Sequence, residues 1–356
     1  MSKVYVGMSG GVDSSVTAAL LKQRGFDVTG VYMKNWTQDL PGMKCPWADD
    51  LADAKRVAVQ LSIDFKVFDF QAEYKQKVVD YMIDEYKAGR TPNPDIMCNQ
   101  EIKFKLFLQA ALDDGADLIA TGHYARVGST NSAAKAKQTS LLTAADNAKD
   151  QTYFLYRVNE AALEKTLFPI GDFTKPEIRK LATSFGLVTA DKKDSQGICF
   201  VGEVGIKDFL SQYVTGEPGD IIDKKTGKVI GQHEGAIFYT IGQRHGLGVG
   251  GGLPLYVVGK DMSKNALYVT TDLNDETLWQ HEITINQLHW INDPPADGVK
   301  YKARTRYRAP LVDCVVKLLG DSAVIKLDQP ERAIAVGQSV VLYDGQRVVG
   351  GGIIAT

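Results

Sequence analysis

Ser9, Gly10, Gly11, Asp13, Ser14 and Ser15 fall within seven consecutive positions near the start of the chain. Glycines there let the main chain approach a ligand with no Cβ in the way, and the N–H groups of a following helix's first turn would meet a phosphate. A Walker A loop is excluded, because it needs a Lys-Ser/Thr pair after its second glycine and this chain has Val12-Asp13-Ser14-Ser15. Two further segments carry nucleophiles. In Gly89–Asn99 two prolines hold the chain extended and present Asp95 and Cys98 just ahead of an expected helix, whose dipole would favour a thiolate. In Lys192–Phe200 two lysines and a turn precede Cys199. Taken alone, each cysteine also fits a small buried hydrophobe, and Ile198 and Phe200 favour that reading for Cys199. Cys45 and Cys314 read only as buried hydrophobes. The four cysteines contain no CxxC pair for zinc or an iron–sulfur cluster and are too few for a disulfide framework, so reduced thiols are expected.

The elements that must position these groups follow from periodicity. The stretch Val4–Ser15 reads as a short β-branched strand, a glycine turn lined with hydroxyls, and then a helix running through Ala18, Ala19, Leu20 and Leu21. Strand-like runs at Val28–Met33, Phe65–Phe70 and Leu118–Thr121 alternate with helix-like runs near Asp50–Leu61, Tyr74–Lys87 and Glu101–Leu112. That βαβ rhythm predicts an α/β fold with a mostly parallel sheet and ligands at the carboxyl ends of its strands. Thr174-Lys175-Pro176-Glu177 predicts a capped helix start that carries the first domain to about residue 200. From about Gly216 the texture turns to short β runs, with hairpin signals at Lys224–Gly227 and Asp344-Gly345 and a boundary near Thr271–Asp275. The expected division is 1–204, 205–270 and 271–356. Asn131–Thr139 reads as an exposed loop. Gly246–Gly251 spells G-x-G-x-x-G, but no strand–turn–helix unit surrounds it, so NAD binding is rejected.

With 356 residues, 44% hydrophobic and 24% charged, the chain has ordinary globular composition, and no apolar run approaches membrane-spanning length. The start enters a strand with no basic segment before an apolar one, so a cytoplasmic location is expected. The net charge of −2 argues against a uniformly basic coat. A local basic stripe is nonetheless visible: Lys300, Lys302, Arg304, Arg306 and Arg308 alternate with other residues. Strand periodicity would put all five on one face roughly 26 Å long, without an acidic partner, suited to backbone phosphates.

Ser-Gly-Gly-x-Asp-Ser resembles the PP-loop of the N-type ATP pyrophosphatases, which cleave ATP between the α and β phosphates. Along nearly its full length the chain further resembles the bacterial MnmA-type tRNA-specific 2-thiouridylases. The strings that carry this are SGGVDSS, GRTPNPDIMCN, IKF, ATGHYAR, KDQTYFL, KKDSQGICF, YTIGQRHGLG, RYR and GQSVVLY. Thr152 stands where many relatives have Ser, and Ala309 where Gln is common. The resemblance implies a Rossmann-like PP-loop domain, a small β-rich central domain and a C-terminal β-barrel. It also implies an ATP-dependent exchange of the C2 oxygen of a wobble uridine for sulfur.

For that reaction the C2 oxygen, a poor leaving group, must first become an O-adenylate, with pyrophosphate departing under Mg²⁺ neutralisation. By resemblance, ATP contacts run through Gly7, Met8, Ser9, Gly10, Gly11, Val12, Asp13 and Ser14, with Met33 and Gly122, and Asp13 is the expected metal contact. Cys199 would carry sulfur as a persulfide received from a cysteine desulfurase or relay protein. Cys98 would then complete the transfer or release hydrogen sulfide, either route ending in a Cys98–Cys199 disulfide that reductant must open. Asp95 either positions the base or handles its N3 proton, or else only closes the Pro-Asp turn. Implied tRNA contacts are Asn93, Pro94, Asp95, His123, Lys149, Asp150, Gln151, Arg306, Tyr307, Arg308 and Gln338. The implied substrates are the glutamate, glutamine and lysine acceptors. Two other classes share part of this pattern: an AMP-forming PP-loop ligase or amidotransferase, which has no need of the cysteine pair, and a non-catalytic RNA-binding protein, which needs neither cysteine nor ATP.

Overall fold

The computed structural model describes residues 1–39, 45–130, 137–193, 205–249 and 253–356. Cys199 and most of its motif lie outside them. Strands β1 (Lys3–Gly7), β2 (Asp27–Lys34), β3 (Asp64–Asp69) and β4 (Leu118–Thr121) form with β7 (Thr166–Leu167) a parallel sheet of order β3-β2-β1-β4-β7. The apolar, β-branched run Val4–Val6 is fully buried, as a strand covered on both faces must be. Helix α1 (Val12–Gln23) and α2 (Trp47–Leu61) are followed by two longer continuous helices, α3 over 71–87 and α4 over 94–113. Both longer helices widen to i→i+5 bonding in their interiors, at Lys75–Asp80 and Cys98–Phe107. The expected helix near 101–112 therefore begins earlier, at Pro94. Cys98 does not precede the helix but sits inside its second turn, and the dipole argument, which fades past the first turn, is correspondingly weak.

Between β4 and β7 the hairpin β5 (Arg126–Thr130) and β6 (Gln138–Leu142) leaves the parallel sheet altogether. The expected exposed loop at 131–139 is thus partly strand. Its residues 131–136 lie outside the described ones, whereas Gln138 is buried. Strands β8 (Gly219–Asp223), β9 (Val229–His233), β10 (Tyr256–Asp261) and β11 (Ala266–Thr270) build a small central sheet of order β10-β11-β8-β9. The Lys224–Gly227 turn joins β8 to β9, as expected, with Gly227 at positive φ. Six strands then close a barrel: β12 (Trp279–Trp290), β13 (Lys300–Arg304), β14 (Val312–Leu319), β15 (Ser322–Arg332), β16 (Ser339–Asp344) and β17 (Arg347–Ile354). The order is β12-β15-β14-β13-β16-β17, and β17 pairs back onto β12, which removes both free edges. The fold class read from the sequence, a Rossmann-like α/β domain followed by two β-rich units, is the one observed.

The barrel is welded to the parallel-sheet domain rather than tethered to it. Strand β6 pairs with β17 at Leu142 and Arg347, and the Tyr153 hydroxyl donates to the Ser339 carbonyl at 3.0 Å. At the centre, Arg304 of β13 donates to Asp150 at 3.2 Å, with side-chain exposures of 12% and 2%. Asp150 also accepts from the Ala144 N–H at 3.1 Å and the Thr152 hydroxyl at 2.8 Å, a bond that a serine at 152 could make equally well. Removing one partner of such a pair leaves an uncompensated buried charge. Arg304→Met should therefore lower stability by about 3–5 kcal/mol, read as a drop in thermal midpoint, while Arg304→Met combined with Asp150→Asn recovers much of it.

Candidate active site

The candidate phosphate loop is built where β1 ends. Gly10 has φ +74, and a Cβ there would lie 2.3 Å from the Asp50 carbonyl oxygen, so only glycine fits. Gly11 then caps α1 in an extended conformation without a side-chain bond, leaving the first-turn N–H groups to a ligand. Hydroxyls shape the rest. Ser14 Oγ donates to the Gly11 carbonyl at 3.1 Å and accepts from the Ser9 N–H at 3.2 Å, and Ser15 Oγ donates to Gly11 O at 2.8 Å. Met33 at the end of β2 packs on Gly7, where a Cβ would sit 2.9 Å from its Cε. Gly122, after β4, comes so close to α1 that a Cβ would be 2.8 Å from the Ser14 nitrogen. Adjacent strand ends thus bring Gly7 through Ser14, Met33 and Gly122 together.

Asp13 has partners that sequence reasoning missed. Its carboxylate accepts from Lys175 Nζ at 2.8 and 2.9 Å and from the Tyr124 hydroxyl at 3.0 Å. Lys175 occupies the first turn of the helix Lys175–Ser184, whose start the Thr174–Glu177 capping box fixes as expected. A lysine there opposes the helix dipole, and that local misfit is the signal that could have flagged it.

The second group of residues lies along α4. Asn93 caps the helix by accepting from the Ile96 N–H at 3.3 Å, Pro94 opens it, Asp95 is half-buried and Cys98 is buried. The side chain of the next residue, Asn99, donates to the Phe154 carbonyl at 3.1 Å, and the Phe154 ring packs on Tyr307 at 4.4 Å between centroids. Cys45 and Cys314 are buried, and burial raises both thiols, Cys314 to about 12, which leaves them inert.

The basic stripe requires correction. Strand β13 ends at Arg304, and Lys300, Lys302 and Arg304 each have an acidic partner on a neighbouring element: Asp328, Asp313 and Asp150. The strand pattern could not reveal partners supplied by other strands. Arg306 and Arg308 lie in the following turn, exposed, without a carboxylate in ion-pair reach among the described residues. Arg308 has φ +63 and sits over the Tyr307 ring at 5.1 Å. The Asp150 carboxylate is buried against Arg304. Gln151 is turned inward, accepting from the Tyr124 N–H at 2.9 Å, and Lys149 beside it is half-buried. Gln338, at the start of β16, points its amide at the Thr91–Pro92 main chain.

His123 is buried, with Nδ1 at 2.8 Å from the Thr121 hydroxyl and Nε2 at 3.5 Å from Lys103 Nζ on α4. Burial, and then the Lys103 charge, push the imidazole well below the ordinary histidine value.

A glycine- and hydroxyl-rich loop closing the first strand of a parallel sheet, with a cysteine-bearing helix beside it and two β units behind, defines an α/β protein with two β-rich appendages, the second a closed barrel. Residues 2–203 match the family described as tRNA methyl transferase HUP domain, 207–271 the tRNA methyl transferase PRC-barrel domain, and 280–354 the aminomethyltransferase beta-barrel domain. The chain is 48% identical to the tRNA-specific 2-thiouridylase MnmA of Shewanella amazonensis, over 99% of this chain and 94% of that one. It is equally identical to the protein of that name from Streptococcus sanguinis, over 99% and 95%. The chain belongs to the tRNA-specific 2-thiouridylase family. A solved 4-thiouridine synthetase–RNA complex with bound ATP is similar over 59% of this chain and 50% of that one, at a TM-score of 0.39 and 18% identity, too loose a likeness to argue from.

The His123 environment sets a pH dependence. The native imidazole stays neutral while the unfolded one takes a proton, so its stability contribution is complete above the unfolded value and is lost as pH falls through it. Each pH unit below roughly 6.5 should cost about 1.4 kcal/mol until the native value is reached. Thermal midpoints measured from pH 7.5 to 5.5 should fall. His123→Gln should flatten the fall without abolishing it, because burial also lowers His233 and His289.

Proposed function

We propose that this chain is an ATP-dependent tRNA-uridine 2-sulfurtransferase acting on the wobble uridine. The observation that carries the reading is the Gly122-His123 turn. Gly122 abuts the loop at Ser14 and His123 lies 3.5 Å from Lys103 on the helix that bears Asp95 and Cys98, so one turn spans from that loop to the cysteine-bearing helix. The end-to-end likeness to 2-thiouridylases supports the substrate. In this division of labour, 1–204 performs the chemistry, 205–270 is the central module and 271–356 engages tRNA.

Phosphates of ATP seat on the N–H groups of α1 and the Ser9 and Ser14 hydroxyls. The uridine C2 oxygen attacks the α phosphorus, pyrophosphate leaves, and a good leaving group replaces a poor one. The terminal sulfur of a Cys199 persulfide attacks C2, and AMP departs with the original oxygen. The Cys98 thiolate attacks the Cys199 sulfur, so two thiols are oxidised to a disulfide as the transferred sulfur is reduced. Asp95 holds the base or takes its N3 proton. No group of three His, Cys, Asp or Glu suited to a metal occurs among the described residues. Asp13, about 30% exposed and ion-paired with Lys175, is the carboxylate that would hold a Mg²⁺. When bound it supplies charge neutralisation of the departing pyrophosphate.

The tRNA surface in this reading is the turn Arg306-Tyr307-Arg308, reached from α4 through Phe154, and the substrates are the glutamate, glutamine and lysine acceptors. Sulfur comes from a persulfide-carrying donor protein, and the enzyme works in the cytoplasm. Among the described residues no helix is long and apolar enough to cross a membrane.

Asp13→Ala combined with Ser14→Ala should reduce tRNA-dependent pyrophosphate release by about 10²-fold or more in a protein that remains folded. Wild-type release would sink the ATP assignment. With isotopically labelled donor sulfur on non-reducing gels, Cys199→Ser should fail to load sulfur. Cys98→Ser should load sulfur and adenylate tRNA yet fail to complete transfer, leaving tRNA joined to Cys199 through the transferred sulfur, and full thiolation by either variant would refute the two-cysteine scheme.

A further inference from the structure

Gln338 Nε2 donates to the carbonyl oxygens of Thr91 at 2.9 Å and Pro92 at 3.3 Å, and the Thr91 N–H donates to the Val336 carbonyl at 2.8 Å. Between these contacts Gly337 has φ +94, and a Cβ on it would lie 2.8 Å from the Thr91 nitrogen and 3.0 Å from its carbonyl carbon. No side chain fits there. The barrel end of the contact is fixed, since Gly337 N–H donates to Ile354 O at 3.0 Å and Ile354 N–H to Gln338 O at 2.8 Å. From another direction the Thr91 hydroxyl lies 3.2 Å from that of Thr240, in the central module. Thr91 and Pro92 are thus buried where all three units of the chain meet, and the next residue is Asn93, the cap of α4.

We propose that Gln338 is a positioning residue. With Gly337 it clamps the main chain of Thr91 and Pro92, fixes where α4 begins, and so sets the direction of Asp95 and Cys98. The barrel then completes the catalytic loop from behind, a role different from reading tRNA through this side chain. The catalytic consequence rests on the proposed roles of Asp95 and Cys98; the clamp itself does not.

The test uses the full chain carrying Gln338→Leu, which removes both donors, and Gln338→Lys, which keeps a donor of similar reach. Alkylation of Cys98 by iodoacetamide is followed by peptide mass spectrometry, with buried Cys45 and Cys314 as internal controls. In parallel, single-turnover thiolation and tRNA affinity are measured. Gln338→Leu should speed Cys98 alkylation about fivefold as the helix start frays. At saturating tRNA it should also slow single-turnover thiolation about tenfold through misplacement, and Gln338→Lys should restore both. Unchanged alkylation in the leucine variant overturns the clamp, and weaker tRNA binding with unchanged alkylation assigns Gln338 to tRNA instead. Faster alkylation with full thiolation upholds the clamp and refutes the roles given to Asp95 and Cys98. Should Gln338→Leu not fold, Gln338→Glu sets a carboxylate against the same two carbonyls and is read the same way.

Discussion

Asp150 is the carboxylate on which the docking of the barrel against the parallel-sheet domain turns. It lies almost wholly out of water, and a charge in that position is tolerable only with a full set of donors. It finds them in the Ala144 N–H, the Thr152 hydroxyl and the Arg304 guanidinium, which also packs over the Tyr343 ring at 5.4 Å. Two of those donors come from its own domain and the third from the barrel, so the ion is satisfied only in the docked arrangement. The same surface seats the Tyr153 and Tyr156 hydroxyls on Ser339 and the β5–β6 hairpin against β17. These contacts together leave the barrel little freedom to swing.

That rigidity has a consequence for the site. The turn Arg306-Tyr307-Arg308 follows directly on Arg304, so an exposed cationic turn is held at a fixed place relative to Phe154 and to α4. Two arginines in a defined position, without an acidic partner among the described residues, suit a phosphate backbone better than three strand cations already paired with Asp328, Asp313 and Asp150. In the nucleotide loop the charges are likewise arranged beforehand, with Asp13 and Lys175 paired beside the helix N-terminus.

Much of this was legible in local pattern. The phosphate loop, the alternating strands and helices, the capping box at Thr174, and the turns at Lys224–Gly227 and Asp344-Gly345 all depend on neighbours within a few positions. Short-range sterics and hydrogen bonding fix those features wherever the sequence occurs. What misled the pattern was also local: alternation carried the basic stripe beyond Arg304, where the strand ends, and two prolines suggested that α4 began after Cys98.

The sequence by itself determined which groups are at hand: the glycines and hydroxyls that follow β1, the cysteines of its two candidate segments, and an α/β domain followed by β units. Tertiary structure alone decided how charges and main chain are paired. Asp13 meets Lys175 across 162 residues, Asp150 meets Arg304 across 154, and Gln338 reaches Thr91 across 247. No periodicity spans such separations, because a side chain's partner depends on which elements pack together, and the burial of apolar faces chooses that packing. The same burial makes an unpaired Asp150 or an unsatisfied Thr91 carbonyl costly, so the long-range partners follow from the fold and not from any nearby residue.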